Sequence, residues 1–439
     1  MPIEYKNLHP RFFLQYFSQS RQMNWTLADQ MITSGSNFVT SILGVRILGG
    51  KEFGIYSIVF IGFLLMGSLQ WAIISSPMMT FSQKLTRSEA DDYFRVILWQ
   101  QLIFSTALSL LVFLSMEEVH AFFPDAELGS LSLPFAIATF FLQMQEYSRR
   151  YYFSKGKSAF VLIQDVVRYL IQIGSLVLFW KFSIHIRTSG MLWVLSCASL
   201  LALVISFSGF PGLLGSWRNF YPIMVRQWHY SKWLIPTALM QWISDNAIIL
   251  VTGSLLGAWS VGVLKAAQNI MGITNILLQA FDNIVPITAS RLFHTEGSVG
   301  LVRYLKKTAL LGGGAVIILS VIWASFAKFW LKLFYGNQFS EYGNIVSWYA
   351  LISVIIFLAL VVRSGLTALE KTKSWFISYA VMAVFNALIA YPVVHFWGLE
   401  GALWGLLLSL LLLTFLSLTY LRMQLRESSL SIPSLIGNP

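Results

Sequence analysis

Long apolar stretches separated by short polar segments run through almost the whole chain. A helix that crosses about 30 Å of hydrocarbon needs roughly 20 mostly apolar residues. The pattern therefore predicts an all-α polytopic membrane protein with twelve transmembrane helices. These are predicted at residues 26–48, 54–80, 93–116, 131–152, 158–181, 190–210, 233–255, 260–287, 306–328, 343–366, 374–396 and 399–422.

Composition supports a membrane protein and excludes several other classes. Of 439 residues, 56% are hydrophobic and only 11% are charged, whereas soluble proteins have about 25% charged residues. The single cysteine, Cys197, excludes a disulfide scaffold. The net charge of +11 comes from basic residues in short loops, so it does not indicate a nucleic-acid partner. No polar stretch is long enough for a soluble catalytic domain, and we expect neither an enzyme nor a cofactor.

The segments between the predicted helices are alternately rich and poor in Lys and Arg. Twenty-one lie in the alternate segments that include both termini, and five lie in the segments between. The loop 117–129 is acidic and contains no Lys or Arg. Because basic residues concentrate on the cytoplasmic side, we predict that both termini are inside. A bacterial inner membrane is the simplest location.

The first 25 residues contain an aromatic face but no signal-peptide pattern. Phe12, Phe13, Tyr16 and Phe17 would share one side of a helix. That spacing is typical of a short helix in the membrane interface. A cytoplasmic tail is the alternative for residues 1–25.

Two sequence offsets indicate an internal duplication. At an offset of 208, Ser36-Asn37 aligns with Ser244-Asp245, and the turn LGGKEFG aligns with LGAWSVG. At an offset of 216, residues 155–160 align with residues 371–376. Six helices separate the copies, so the repeats are parallel and related by an axis along the membrane normal.

The duplication predicts two six-helix bundles, which is a transporter architecture. We expect the first and seventh helices, which carry polar residues, to contact a substrate between the halves. The predicted organisation has five parts: an N-terminal segment at 1–25, a bundle at 26–210, a cytoplasmic linker at 211–232, a bundle at 233–422 and a cytoplasmic tail at 423–439.

Four basic residues lie inside the predicted helices. Charge in hydrocarbon is costly and is usually functional or paired. By their positions, Arg46, Arg168, Lys265 and Arg363 form a ladder of positive charge that would suit an anionic head group. Alternatively, Arg168 is neutralised by Asp165 one turn away, and Arg46 and Lys265 reach the outer surface.

Polar residues near these bases are further candidates. At an offset of 216, Arg363 aligns with Tyr147, which we predict to line the cavity together with Asn37 and Asn246. Asp245 has no basic residue at helical spacing. It is a candidate for proton or sodium coupling, as is Asp165, although each could instead accept hydrogen bonds or be protonated.

A local ion pair is predicted at the inner surface. Glu146 precedes Arg149 and Arg150 by three and four residues, a spacing that brings the side chains together on a helix. No metal-ligand spacing, nucleotide-binding loop or catalytic set accompanies these residues.

Residues 29–38, 46–49 and 53–56 resemble the opening of the polysaccharide transporter family, the Wzx-type flippases. Residues 145–150 are also similar to that family. It belongs to the superfamily, abbreviated MOP, that contains the MATE drug exporters and the MurJ lipid flippase. The chain departs from the family at residues 50–51, where a proline often follows the Leu-Gly turn.

The resemblance implies a MATE-like fold and the movement of a lipid-linked oligosaccharide, commonly on undecaprenyl pyrophosphate, to the outer leaflet. Such a flippase serves the synthesis of O-antigen or another cell-surface polysaccharide. Its expected partners are membrane lipids, H+ or Na+, and a polysaccharide polymerase or glycosyltransferase. Two alternatives remain: a MATE-like exporter of small organic molecules, and a membrane partner of a polysaccharide synthase that does not flip lipid.

Overall fold

The computed structural model describes residues 10–212 and 220–430, and these are almost entirely helical. The side chains of residues 12–17, which carry the predicted aromatic face, lie outside the described residues, as does the end of the tail. The helices are α1 (Pro10–Leu48), α2 (Gly50–Gln70), α3 (Ser76–Ser82), α4 (Arg87–Phe122), α5 (Ser132–Ser154), α6 (Ser158–Lys181), α7 (Thr188–Ser206), α8 (Phe220–Leu256), α9 (Ala258–Ile270), α10 (Gly272–Ser325), α11 (Ala327–Tyr335), α12 (Gly343–Ala368) and α13 (Thr372–Leu430).

Ten helical segments among the described residues are long and apolar enough to cross a membrane. The difference from twelve lies in α10 and α13. At 1.5 Å per residue, the 54 residues of α10 would span about 80 Å if straight. Each of these helices instead contains a kink at a residue with non-helical backbone, Gly297 or Gly398. Each therefore covers most of two predicted stretches, and twelve crossings remain a prediction.

The kink at Gly297 provides a test of backbone strain. Its φ of 67° and ψ of −161° belong to a region that glycine adopts far more readily than other residues. A Cβ built there meets nothing within 4 Å. Gly297→Ala is therefore expected to cost about 1–3 kcal/mol of stability from the backbone alone.

Thermal unfolding in detergent would measure this loss. Gly314→Ala is the matched control, because Gly314 also has open space around it but has no positive φ. An unchanged melting temperature for Gly297→Ala would contradict the strained kink.

The chain forms two compact units. Unit 1 contains the described parts of Met1–Ile47, Met66–Glu118 and Gly129–Ile235, and unit 2 contains Leu48–Leu65, Val119–Leu128 and the described part of Pro236–Pro439. The boundary passes through α2 and through α8, where Pro236 begins the unit 2 portion. Residues 220–232, expected in a linker, are the helical start of α8.

Each unit has its own apolar core. In unit 1, α5 packs against α6 and α7, and the core is rich in aromatic residues such as Tyr93, Tyr147 and Tyr151. In unit 2, α12 packs against α10 and α13, around residues that include Phe357 and Leu366. Both cores are built from helix faces that bury apolar side chains away from water and lipid alike.

The two turns aligned by the offset of 208 are in contact within unit 2. A Cβ on Gly54 of α2 would lie 1.8 Å from the carbonyl oxygen of Ala258 in α9. A Cβ on Gly262 would lie 2.7 Å from the carbonyl oxygen of Gly50 and 3.3 Å from the Cα of Gly54. Gly54 and Gly262, aligned in the sequence, therefore touch each other, and their missing side chains permit the close approach.

The turns after α5 and α12 show a different spacing from the one read in the sequence. After α5, the N–H of Lys157 donates to the carbonyl of Tyr152 at 2.9 Å, and after α12 the N–H of Lys371 donates to Leu366 at 2.9 Å. Lys155 with Tyr151 and Leu369 with Gly365 are a second matching pair, both at 3.2 Å. Equivalent residues are therefore 214 apart, and the Lys-x-Lys match at 216 is displaced by two residues.

Candidate functional site

A buried ion network joins three helices of unit 1. Its centre is Arg149 of α5, whose guanidinium contacts three carboxylates. The distances are 3.0 Å from Nη2 to Asp29 Oδ2 of α1, 2.8 Å from Nη1 to Glu146 Oε2, and 2.7 Å from Nε to Asp165 Oδ2 of α6. Asp29 and Asp165 are almost completely buried.

Neighbouring side chains extend this network. Arg150 Nε lies 2.6 Å from Glu146 Oε1, so the predicted local pair of Glu146 with both arginines is confirmed. Gln145 donates to Asp165 at 2.9 Å and accepts from Arg168 at 3.0 Å. Arg168 makes no direct ion pair with Asp165, although the two charges interact electrostatically. Asp165 pairs with Arg149, and Gln145 lies between the two.

The network does not resemble an open binding site. Its central guanidinium side chain is only 12% exposed, and its groups satisfy one another's charge. Buried ions are tolerated when they are paired and hydrogen-bonded, and removing one partner is strongly destabilising. We interpret the network as a clamp that holds α1, α5 and α6 together.

A cavity lies within unit 2, between α8, α10, α12 and α13. Its volume is about 370 Å³, within the range of small-molecule sites. The polar and aromatic side chains that line it are Asp245, Asn275, Gln279, Asp282, Arg363, Trp375 and Tyr379. Leucine, isoleucine and alanine side chains complete the wall.

Charges in the cavity are unevenly distributed. Arg363 forms an ion pair with Asp282, and its guanidinium lies 5.5 Å from the centre of the Trp375 ring. Asp245 interacts electrostatically with Lys265, whose Nζ donates to Gln268 at 3.0 Å. Two carboxylates and one guanidinium line the cavity, which gives a formal balance of one negative charge.

The two sites occupy equivalent places in the two copies of the repeat. At the structural offset of 214, Arg149 corresponds to Arg363 and Asp165 corresponds to Tyr379. Arg149 is 12% exposed, whereas Arg363 is 31% exposed and lines a cavity. The same helix positions therefore form a closed ion network in unit 1 and an open pocket in unit 2.

The offset of 214 also changes which residue corresponds to Arg363. The sequence alignment at 216 paired Tyr147 with Arg363, but the structural partner of Arg363 is Arg149. Tyr147 is fully buried in the aromatic core of unit 1, with its ring stacked on Tyr151. It does not line the cavity described above.

The remaining sequence candidates have local partners. The guanidinium of Arg46 lies 5.7 Å from the centre of the Trp180 ring. Asn37 accepts a hydrogen bond from the Tyr169 hydroxyl at 3.5 Å. Asn246 donates to the Trp242 carbonyl of its own helix at 3.0 Å. The four bases of the predicted ladder are thus divided between the units, Arg46 and Arg168 in unit 1 and Lys265 and Arg363 in unit 2.

The sequence did not indicate that Arg149 is the centre of an ion network, or that Asp282, Trp375 and Tyr379 line a cavity. The correct repeat offset would have aligned Arg149 with Arg363. No local pattern indicates that Asp282 meets Arg363, because 81 residues separate them. Among the described residues, no group of three or more His, Cys, Asp or Glu is arranged to hold a metal ion.

Comparison with known proteins places these sites in a familiar architecture. Residues 234–392 match the MatE family. No curated protein matches the sequence. The chain has the fold of MATE and MurJ transporters. The matched part of the sequence contains Asp245, Asp282 and Arg363, so most of the cavity lining lies in the part of the chain that is similar to the MatE family.

Three solved structures illustrate the likeness. An inward-facing multidrug resistance MATE transporter has a TM-score of 0.75 at 12% identity, covering 90% of this chain and 96% of that one. The lipid II flippase MurJ, in an inward closed conformation, has a TM-score of 0.70 at 14% identity, covering 93% and 90%. A MOP superfamily transporter from Pyrococcus furiosus has a TM-score of 0.62 at 13% identity, covering 94% and 96%.

These matches establish a multi-pass membrane protein with a transporter fold. The matched family and the structures named here are transporters or a flippase, and none represents a catalytic family. Identities of 12–14% support the fold and leave the substrate open.

Proposed function

We propose that the protein is a flippase that moves a lipid-linked oligosaccharide, carried on a polyprenyl pyrophosphate, from the inner to the outer leaflet of a bacterial inner membrane. The observation that supports this proposal is the cavity of unit 2. It combines amide, carboxylate and guanidinium groups, which hydrogen-bond hydroxyls, with the rings of Trp375 and Tyr379, which can pack against a sugar face.

Arg363 is the group in this cavity that suits the anionic part of the head. A guanidinium presents a planar fork of donors to phosphate. An inside-negative potential would favour outward movement of that anion by roughly 2.3 kcal/mol per charge per 100 mV. Coupling to H+ or Na+ through Asp245 or Asp165 stays a prediction, as do a polymerase or glycosyltransferase partner and cytoplasmic termini.

A second candidate is export of an organic cation. It is favoured by the excess of carboxylates over guanidinium groups in the cavity, since an acidic, aromatic pocket attracts cations. The MATE proteins among the matched structures include multidrug resistance transporters. The two candidates therefore share the fold and differ in the charge and size of what enters the cavity.

Translocation in proteoliposomes separates these candidates. The probes are a fluorescent polyprenyl-pyrophosphate sugar and, in parallel, a lipophilic organic cation. We expect the sugar lipid to move, and Arg363→Gln to slow it about tenfold or more, since the substitution removes a charged donor and leaves two carboxylates. Arg168→Gln is the matched control, with the same charge change outside the described cavity.

Each outcome has a distinct meaning. A loss confined to Arg363→Gln would support the cavity as the head-group site, whereas equal losses would support the wider ladder of positive charge. Movement of the organic cation alone would assign the protein to the exporters. Movement of neither probe, with co-purification of a glycosyltransferase, would indicate a membrane partner of a polysaccharide synthase.

A further inference from the structure

Asp245 differs from the other charged groups of the cavity in its partners. Arg363 and Asp282 neutralise each other. Among the described residues, Asp245 has no salt bridge, and the nearby Lys265 donates to Gln268 instead. A carboxylate that faces a cavity in hydrocarbon surroundings requires an opposite charge or a hydrogen-bond donor. Lys265 supplies an opposite charge near Asp245 without a direct contact, so the carboxylate oxygens are available to a positively charged group of the substrate.

Two aromatic rings line the same cavity. Trp375 and Tyr379 line the cavity with their ring centres 5.0 Å apart in an edge-to-face arrangement. Tyr379 interacts electrostatically with both Asp245 and Arg363. A carboxylate beside aromatic faces is an arrangement that binds ammonium groups.

The amide side chains indicate what else the substrate carries. Asn275 and Gln279 lie one helical turn apart on α10, on the cavity side. Each presents one carbonyl oxygen and one NH2 group, a combination that matches neutral hydroxyl groups. A ligand with a positive charge and hydroxyl groups would therefore match the polar lining of the cavity.

The other copy of the repeat lacks this charge. Asn37 is the sequence partner of Asp245 at the offset of 208. Its side-chain oxygen accepts a hydrogen bond from Tyr169, so it is engaged within unit 1. The carboxylate of Asp245 is therefore present in the copy of the repeat that contains the cavity and absent at the aligned position of the other copy.

We propose that the sugar head group carries a free, protonated amino group, and that Asp245 is its carboxylate partner in the cavity. This inference rests on the proposed flippase function and specifies its substrate class as an amino sugar. Asp245 would select the charged amine over its acetylated, neutral counterpart.

The test compares two fluorescent polyprenyl-pyrophosphate lipids that differ only in the head group, glucosamine or N-acetylglucosamine. Both are followed in proteoliposomes at a pH at which the amine is protonated. We expect the amine lipid to move about tenfold faster, since a hydrogen bond to a charged group contributes enough for that factor. Asp245→Asn should abolish the difference between the two lipids, and a melting temperature in detergent equal to that of the wild-type protein would show that the variant is folded.

Lys265→Met is the opposing control. It removes the positive charge near Asp245, so the preference for the amine should persist or grow. The amino-sugar proposal is overturned if both lipids move equally in the wild-type protein, or if the preference for the amine persists in Asp245→Asn. In either case the flippase proposal is still supported, because a lipid-linked sugar moves. If neither lipid moves, the flippase proposal fails, and the amino-sugar proposal fails with it.

Discussion

Arg149→Met is expected to destabilise the protein by about 3–5 kcal/mol, because it leaves the buried Asp29 and Asp165 without their shared guanidinium. The guanidinium contacts Asp29, Glu146 and Asp165 at 2.7–3.0 Å and so connects α1, α5 and α6. Methionine fills a similar volume, so packing is largely retained. A lower melting temperature in detergent, followed through the fluorescence of the 16 tryptophans, would measure the loss.

Arg150→Met is the matched control for this experiment. Arg150 is adjacent in the sequence and 30% exposed; among the described residues its one carboxylate partner is Glu146, and its guanidinium lies 4.8 Å from the centre of the Trp71 ring. Partly exposed single pairs contribute about 1 kcal/mol or less. Similar melting temperatures for the two variants would show that the shared guanidinium does not hold the three helices together.

Gly54→Ala is expected to give the second large effect. The new Cβ would lie 1.8 Å from the carbonyl oxygen of Ala258, which is backbone and cannot rotate away. Helices α2 and α9 would have to separate by more than 1 Å, and overpacking of this kind costs about 3 kcal/mol. A fall in melting temperature, with loss of transport in proteoliposomes, is the expected observation.

The same substitution elsewhere in α2 controls for helix propensity. A Cβ on Gly67 meets nothing within 4 Å. Gly67→Ala is therefore expected to leave stability unchanged or raise it by up to about 1 kcal/mol, since alanine favours helix over glycine. If both variants melt alike, the close approach of α2 and α9 is not important for stability.

The sequence was a good guide to features that depend on local patterns. Apolar stretches predicted the helices, because every backbone polar group in lipid must be satisfied within its own segment. The glycine turn repeated at an offset of 208 predicted equivalent positions, and Gly54 and Gly262 are in contact. The Glu146 pair followed from helical spacing of three and four residues.

Features that depend on contacts between distant segments were not predictable. The Lys-x-Lys match at an offset of 216 was a similarity of composition, whereas the backbone hydrogen bonds that end α5 and α12 fix the offset at 214. Two residues rotate a helix position by more than half a turn, so Tyr147 was selected where Arg149 is the equivalent of Arg363. The pairing of Asp282 with Arg363 depends on how α10 packs against α12, which no local pattern encodes.

The division of α2 has a consequence for experiments that separate the halves of this protein. Residues 48–65 belong to unit 2, although they precede the middle of the chain by more than 150 positions. A fragment that begins at Phe220 would therefore lack the segment that carries Gly50 and Gly54, and α9 would expose the backbone that normally packs there. We therefore expect that neither fragment folds into a stable helix bundle when it is expressed alone. Co-expression of the two fragments supplies residues 48–65 to unit 2 and should allow them to assemble.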